Sequence, residues 1–108
     1  MWTITYYNEA TRQQVAHLPT GILASYLRLA NAMQSHGADL RMPHSRAMCG
    51  GLFELRPRGP EGIGRVFYCT QVGRRIVVLH SFVKKTRETP EAELSLARKR
   101  MKEVQENG

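Results

Sequence analysis

Acidic residues are few in this 108-residue chain: nine, against sixteen lysines and arginines, for a formal net charge of +7. Cysteine is scarcer. Cys49 and Cys69 alone make neither a disulfide framework nor a four-ligand zinc site, and that usage fits a reducing cytoplasm. No apolar run approaches the roughly 18 residues of a membrane span, so no transmembrane helix and no membrane partner are expected. The opening Met-Trp-Thr-Ile-Thr-Tyr-Tyr has no basic stretch ahead of an apolar core, so no secretory signal is expected either. Common catalytic signatures are missing: there is no Walker loop, no Gly-x-Ser-x-Gly, no His-Glu-x-x-His and no Cys-x-x-Cys. The acids form no metal-binding pair inside an apolar segment, and His17, His36, His44 and His80 are scattered. Metal-dependent hydrolysis is therefore disfavoured, and no cofactor is expected.

What is present suffices for one core. Hydrophobic residues make up 42% of the chain, which at this length implies a single domain over residues 1–108. The charge is uneven. Between Gly51 and Thr89 lie Arg56, Arg58, Arg65, Arg74, Arg75, Lys84, Lys85 and Arg87 against Glu54, Glu61 and Glu88, so this stretch carries +5 of the total. A basic block of that kind suits a polyanion such as nucleic acid, although a merely solvated basic surface has the same signature.

Residues 2–7 are β-branched and aromatic and read as a first strand. A polar, helix-compatible stretch follows from Asn8 to Leu18, and a second helix from Thr20 to about His36 carries Ile22, Leu23, Tyr26, Leu27, Ala30 and Met33 at helical spacing. Gly37 suits its end. From Ala38 to Gly51 no period is visible, and a loop is predicted. Three strands then follow: Leu52 to Arg56, Arg65 to Thr70 and Arg75 to Val83. The last is apolar on both parities and so is expected to be buried on both faces. Short connections imply an antiparallel meander. Thr89-Pro90-Glu91 opens a final helix, with a hydroxyl cap, a proline at the first position and an acid near the positive end of the dipole. The expected class is a small α+β domain of order strand-helix-helix-strand-strand-strand-helix, its sheet mainly antiparallel.

The candidate chemistry lies in cations placed on strands. Arg56 and Arg58 share a parity, Arg65 opens the next strand, and Lys84 and Lys85 close the last, with Lys84 expected near Arg65 across the final pairing. Such a cluster holds a phosphodiester and stabilises charge developing on it. RNA cleavage that uses the substrate's own 2′-hydroxyl needs only a base, an acid and cations. His80 is a candidate acid or base, against the commoner case of a hydrogen-bonded strand histidine. Tyr68 and Phe82 are candidates to stack on unpaired bases, with core packing preferred for Phe82. Arg46, in the predicted loop, joins Arg58, Tyr68 and Lys85 as an RNA contact. From the residues alone the chain is a basic nucleic-acid binder with a possible nuclease activity.

Gly51-Leu52-Phe53-Glu54-Leu55-Arg56, then Arg65-Val66-Phe67-Tyr68, then Leu79-His80-Ser81-Phe82-Val83-Lys84-Lys85-Thr86 and Thr89-Pro90 resemble the phage-derived HigB-like toxins of the RelE/ParE superfamily of type II toxin–antitoxin systems. The likeness runs from about Leu40 to Met101. It implies a sheet flanked by helices, metal-free and cofactor-free cleavage of mRNA on the translating ribosome, and inhibition by a small helix-turn-helix antitoxin. By position it matches the family's second-strand cations to Arg56 and Arg58, its third-strand arginine to Arg65 and its fourth-strand-end base to Lys84 or Lys85, with Arg56, Arg65 and Lys84 as the catalytic set. RelE carries a catalytic aromatic near its C-terminus, but nothing after Phe82 is aromatic here. That role falls to Tyr68 or His80, or stays vacant. Two further readings stand beside this one: a ParE-like gyrase inhibitor and a non-catalytic nucleic-acid-binding module.

Overall fold

The computed structural model describes residues 1–84 and 89–107. Its elements in chain order are β1 (Thr3–Tyr6), α1 (Glu9–Ala16), α2 (Thr20–His36), β2 (Ser45–Ala47), β3 (Phe53–Leu55), β4 (Arg58–Gly59), β5 (Gly62–Gln71), β6 (Arg75–Lys84) and α3 (Glu91–Asn107). One mixed sheet runs β1-β6-β5-β3-β2, with β4 folded back on β5. All contacts between neighbouring strands are antiparallel except β1 on β6, which pairs Thr3 with Arg75 and Tyr6 with Val78 in parallel. The α+β class and the meander of β3, β5 and β6 are as the sequence predicts. Within the predicted loop, Ser45–Ala47 is instead a short strand. Three residues carry no readable period, and β2 exists because β3 offers it a ladder.

Each helix starts for a local reason. The Asn8 side chain accepts from the Thr11 backbone N–H at 2.7 Å and caps α1. Pro19 precedes α2, whose first free N–H groups are taken by a distant carboxylate: Glu61 accepts from Gly21 at 2.9 Å and Ile22 at 3.2 Å. Those bonds hold the Glu61 carboxyl below its ordinary range. This contact forces β4 against α2 so closely that a Cβ on Gly59 would come within 2.6 Å of the Gly21 carbonyl carbon and the Ile22 nitrogen. The Arg58 N–H donates to Ser25 Oγ at 3.1 Å, which fixes β4 to the middle of that helix. Ahead of α3 the Thr89 hydroxyl donates to Glu54 at 2.9 Å.

The sheet has an apolar layer on each face. Under α1 and α2 lie Leu55, Val66, Tyr68, Ile76 and Val78; under α3 lie Leu52, Phe67, Cys69, Val77 and Leu79. A β-bulge changes the parity of β6. Phe67 is opposite His80 and Tyr68 opposite Val78, so Leu79 is an extra residue on β6. Val77 and Leu79 before the bulge, and His80 and Phe82 after it, thereby all serve the α3 face. Strict alternation would have sent His80 to the opposite side.

Candidate nucleic-acid interface

A row of four side chains crosses the sheet on its α3 face. Arg46 on β2 stands opposite Glu54 on β3, Glu54 opposite Phe67 on β5, and Phe67 opposite His80 on β6. The next row begins at Arg56, whose N–H donates to the His44 carbonyl at 2.9 Å and so extends the β2–β3 ladder by one step. It continues through Arg65, opposite Phe82. Register, not sequence proximity, gathers these residues.

The charges differ sharply in exposure. Arg46 and Arg58 are exposed and Arg56 half-buried, whereas Arg65 and Glu54 are only 2% and 1% exposed. Arg65 Nε lies 3.3 Å from Glu54 Oε1, off the line of its N–H, so the contact is an ion pair and not an aligned hydrogen bond. Arg65 Nη1 donates to the Gly64 carbonyl at 3.1 Å. Burial draws the Arg65 pKa below the usual arginine value; Glu54 opposes that, and the neighbouring Arg56, Arg58 and Arg46 reinforce it. Arg65 does not present its cation to solvent, as a phosphate contact would require. It is the buried base on which the exposed arginines stand.

His80 is buried, and its Nε2 lies 2.6 Å from Glu93 Oε2 on the first turn of α3, while Nδ1 has no partner. Glu54–Thr89 and His80–Glu93 together pin the start of α3 over the row. Glu54 and Glu93 were not singled out from the sequence. Glu54 had a visible signal, a lone carboxylate in an apolar strand, but its partner lies across a strand pairing. Glu93 looked like an ordinary surface acid of a helix.

Tyr68 does not reach this site. It is fully buried on the opposite face, its hydroxyl donates to the Ala38 carbonyl, and its ring stacks on Phe53 at 5.4 Å. Burial pushes its pKa up to about 12, so neither base stacking nor proton transfer near neutrality is open to it. Phe82, expected in the core, is partly buried and packs against the α3-side cluster, its ring 5.9 Å from that of Phe67. The Lys84 backbone pairs with Ile63, two residues along from the Arg65–Phe82 pair, and Lys85 lies outside the described residues. Among the described residues no three His, Cys, Asp or Glu side chains gather as a metal ion would require, and no helix is long and apolar enough to cross a membrane.

A family model described as phage derived protein Gp49-like (DUF891) matches residues 13–102, which include all of α2, every strand after β1 and most of α3. The chain belongs to the phage-derived Gp49-like family. That family is one of RelE/HigB-like toxins. No curated protein matches the chain. The stretches on which the Gp49-like chain resembles HigB-like toxins, residues 51–56, 65–68 and 79–86, contain Glu54, Arg56, Arg65 and His80, four of the side chains that the sheet register draws together. The α+β architecture with a mostly antiparallel sheet is that of a RelE-like fold.

Proposed function

We propose that this Gp49-like protein is the toxin of a toxin–antitoxin pair, held inactive by a small helix-turn-helix antitoxin, and that it cleaves mRNA on the ribosome. The observation that carries the reading is the cluster of Arg46, Arg56, Arg58 and Arg65 beside the buried carboxylate of Glu54. Arg46, Arg56 and Arg58 hold the scissile phosphodiester. Arg65 raises the potential beneath them. The ribose 2′-oxygen attacks phosphorus as the bond to the 5′-oxygen breaks, leaving a 2′,3′-cyclic phosphate and a 5′-hydroxyl. One proton leaves the 2′-hydroxyl and one reaches the departing oxygen; His80, paired with Glu93, is the group on this face suited to carry one of them. The chemistry asks for cations and proton carriers, and no metal.

The test is inducible expression in a bacterium with mapping of mRNA 5′ ends. The intact chain is compared with an Arg56→Ala, Arg58→Ala double variant whose fold is checked by circular dichroism. Growth arrest with new ends within translated frames, both lost in the folded variant, is the expected result. Arrest without new ends would shift the target to gyrase or another machine. No arrest at verified expression would leave a binding module.

A further inference from the structure

The two edges of the sheet differ. At one end β2 is three residues long, carries the exposed Arg46 and closely follows Pro43, all features that discourage pairing with another chain. At the other end β1 has none of them. Trp2-Thr3-Ile4-Thr5-Tyr6-Tyr7 contains no charge and no proline, is rich in β-branched and aromatic residues, and pairs with β6 without a bulge. Among the described residues no strand pairs with its outer side. Thr3 and Thr5 are exposed, and Ile4 and Tyr6 half-buried.

The backbone of β1 defines what that outer side offers. The Thr3 N–H donates to the Arg74 carbonyl at 2.9 Å and the Tyr7 N–H to the Val78 carbonyl at 2.8 Å, so the odd-numbered residues bond toward β6. Ile4 and Tyr6 therefore aim their N–H and C=O groups outward. Trp2 marks the limit, because its N–H is taken by the Gln34 carbonyl of α2 at 3.0 Å. A second β1 laid antiparallel on this edge and centred on Thr5 pairs Ile4 with Tyr6 and Tyr6 with Ile4. Every outward group of both strands then has a partner, so the edge is complementary to itself. The side chains agree. Ile4 and Tyr6 border the apolar layer under α2, which each would extend onto the other copy; Thr5, beside Val77 on the α3 face, would meet its own image. Charge selects the direction. Exposed Arg75 stands beside Thr3, and Glu103, which accepts from the Tyr7 hydroxyl, lies at the other end of the strand. Antiparallel pairing sets the Arg75 end of each copy against the Glu103 end of the other. Parallel pairing would set arginine beside arginine in a chain of net charge +7.

We infer that β1 is the surface on which a second copy of this chain docks, edge to edge about a two-fold axis that passes by Thr5 and stands upright on the sheet. The product is one sheet continuous across two copies, with both α3 helices on the same side. The arginine cluster belongs to the β2 end of each half, so the pairing leaves both clusters open. The strand contact is short, and the dimer is therefore weak and dissociates on dilution. Nothing in the pairing depends on cleavage of RNA.

The experiment is sedimentation velocity of the full chain over a range of concentrations, beside Thr5→Lys and Thr5→Glu. Either substitution sets like charges opposite each other at the axis, on a side chain that is exposed in the single copy. The wild type is expected to pass from monomer to dimer as concentration rises, with a dissociation constant about tenfold weaker in each variant. Mixing the two variants is expected to restore the dimer, since lysine then faces glutamate; a loss caused by misfolding would not recover on mixing. Hydrogen exchange at the Ile4 and Tyr6 amides is expected to slow as the wild-type dimer forms. A wild type that stays monomeric throughout would overturn the pairing and leave this edge to a strand of another protein. A dimer unchanged in Thr5→Lys, or one whose Ile4 and Tyr6 amides exchange as in the monomer, would overturn it in favour of another surface. Variants that remain monomeric when mixed would overturn the antiparallel register about Thr5.

Discussion

Removing either member of the Glu54–Arg65 pair leaves a charge without a counter-ion in a place closed to water. Breaking a buried pair in this way costs about 3–5 kcal/mol, far more than the loss of an exposed one. Arg65→Ala and Glu54→Ala are both expected to lower stability by that amount in urea denaturation, whereas Arg58→Ala, exposed on β4, is expected to lie within about 0.5 kcal/mol of the wild type. A stability loss below about 1 kcal/mol for Arg65→Ala would mean that water reaches the pair. Arg65 is thus a poor choice for a clean functional knockout, although strand parity alone recommends it. At this scale the alternation of the third strand put Arg56 and Arg58 on one strand, whereas β3 ends at Leu55 and Arg58 belongs to β4. The sequence was silent where the role depends on a partner across a pairing, as for Glu54 with Arg65 and His80 with Glu93. The two cysteines separate in the same manner. Burial pushes the Cys69 thiol up to about 11, while Cys49 is exposed. An alkylating reagent at neutral pH is expected to modify Cys49 alone, with Cys69 reacting only after denaturation.

At the scale of elements, the helices and the long strands announced themselves through periodicity and caps, but β2 and β4 did not. They are three and two residues long and exist by pairing. The bulge at Leu79 is equally hidden, since no turn residue marks it, yet it decides that His80 faces α3. What holds β4, and with it Arg58, is its contact with the start of α2. Gly59→Ala would drive a methyl group into the α2 backbone, with no flexible side chain to yield, and an overpacking loss of about 1–3 kcal/mol is expected, together with weaker RNA binding. The Glu61 carboxylate gives the same contact a pH dependence. Its folded pKa is depressed, chiefly by the Gly21 N–H, so its stabilisation is complete above the unfolded carboxylate value of about 4.3 and vanishes as pH falls through the lower folded value. The melting temperature of Glu61→Ala is therefore expected to lie below that of the wild type near neutrality, and the gap is expected to close in acid. A gap that persists unchanged to about pH 2 would assign the effect to packing.

For the molecule as a whole, the +7 charge sets the behaviour toward any polyanion. RNA affinity is expected to fall steeply as salt rises, because each neutralised phosphate releases a counter-ion. Arg58→Ala is expected to weaken binding evenly across sequences and to reduce the slope of log affinity against log salt by about one. A slope unchanged in Arg58→Ala would place the phosphate elsewhere. The fold class was legible at this scale from element order, but the sheet's most consequential pairing was not. β1 lies parallel to β6, joining Thr3 to Arg75. Thr3 therefore waits for a partner more than seventy residues further along the chain, and the start of α3, which lies over Glu54 and His80, comes later again. Local helices form early, but non-local pairings wait for the chain. A nascent chain ending before β6 lacks the interior strand that joins β1 to the rest of the sheet. Cut off before β6, the chain would hold β1 as a lone strand, and the parallel rung that closes this side of the sheet could not form.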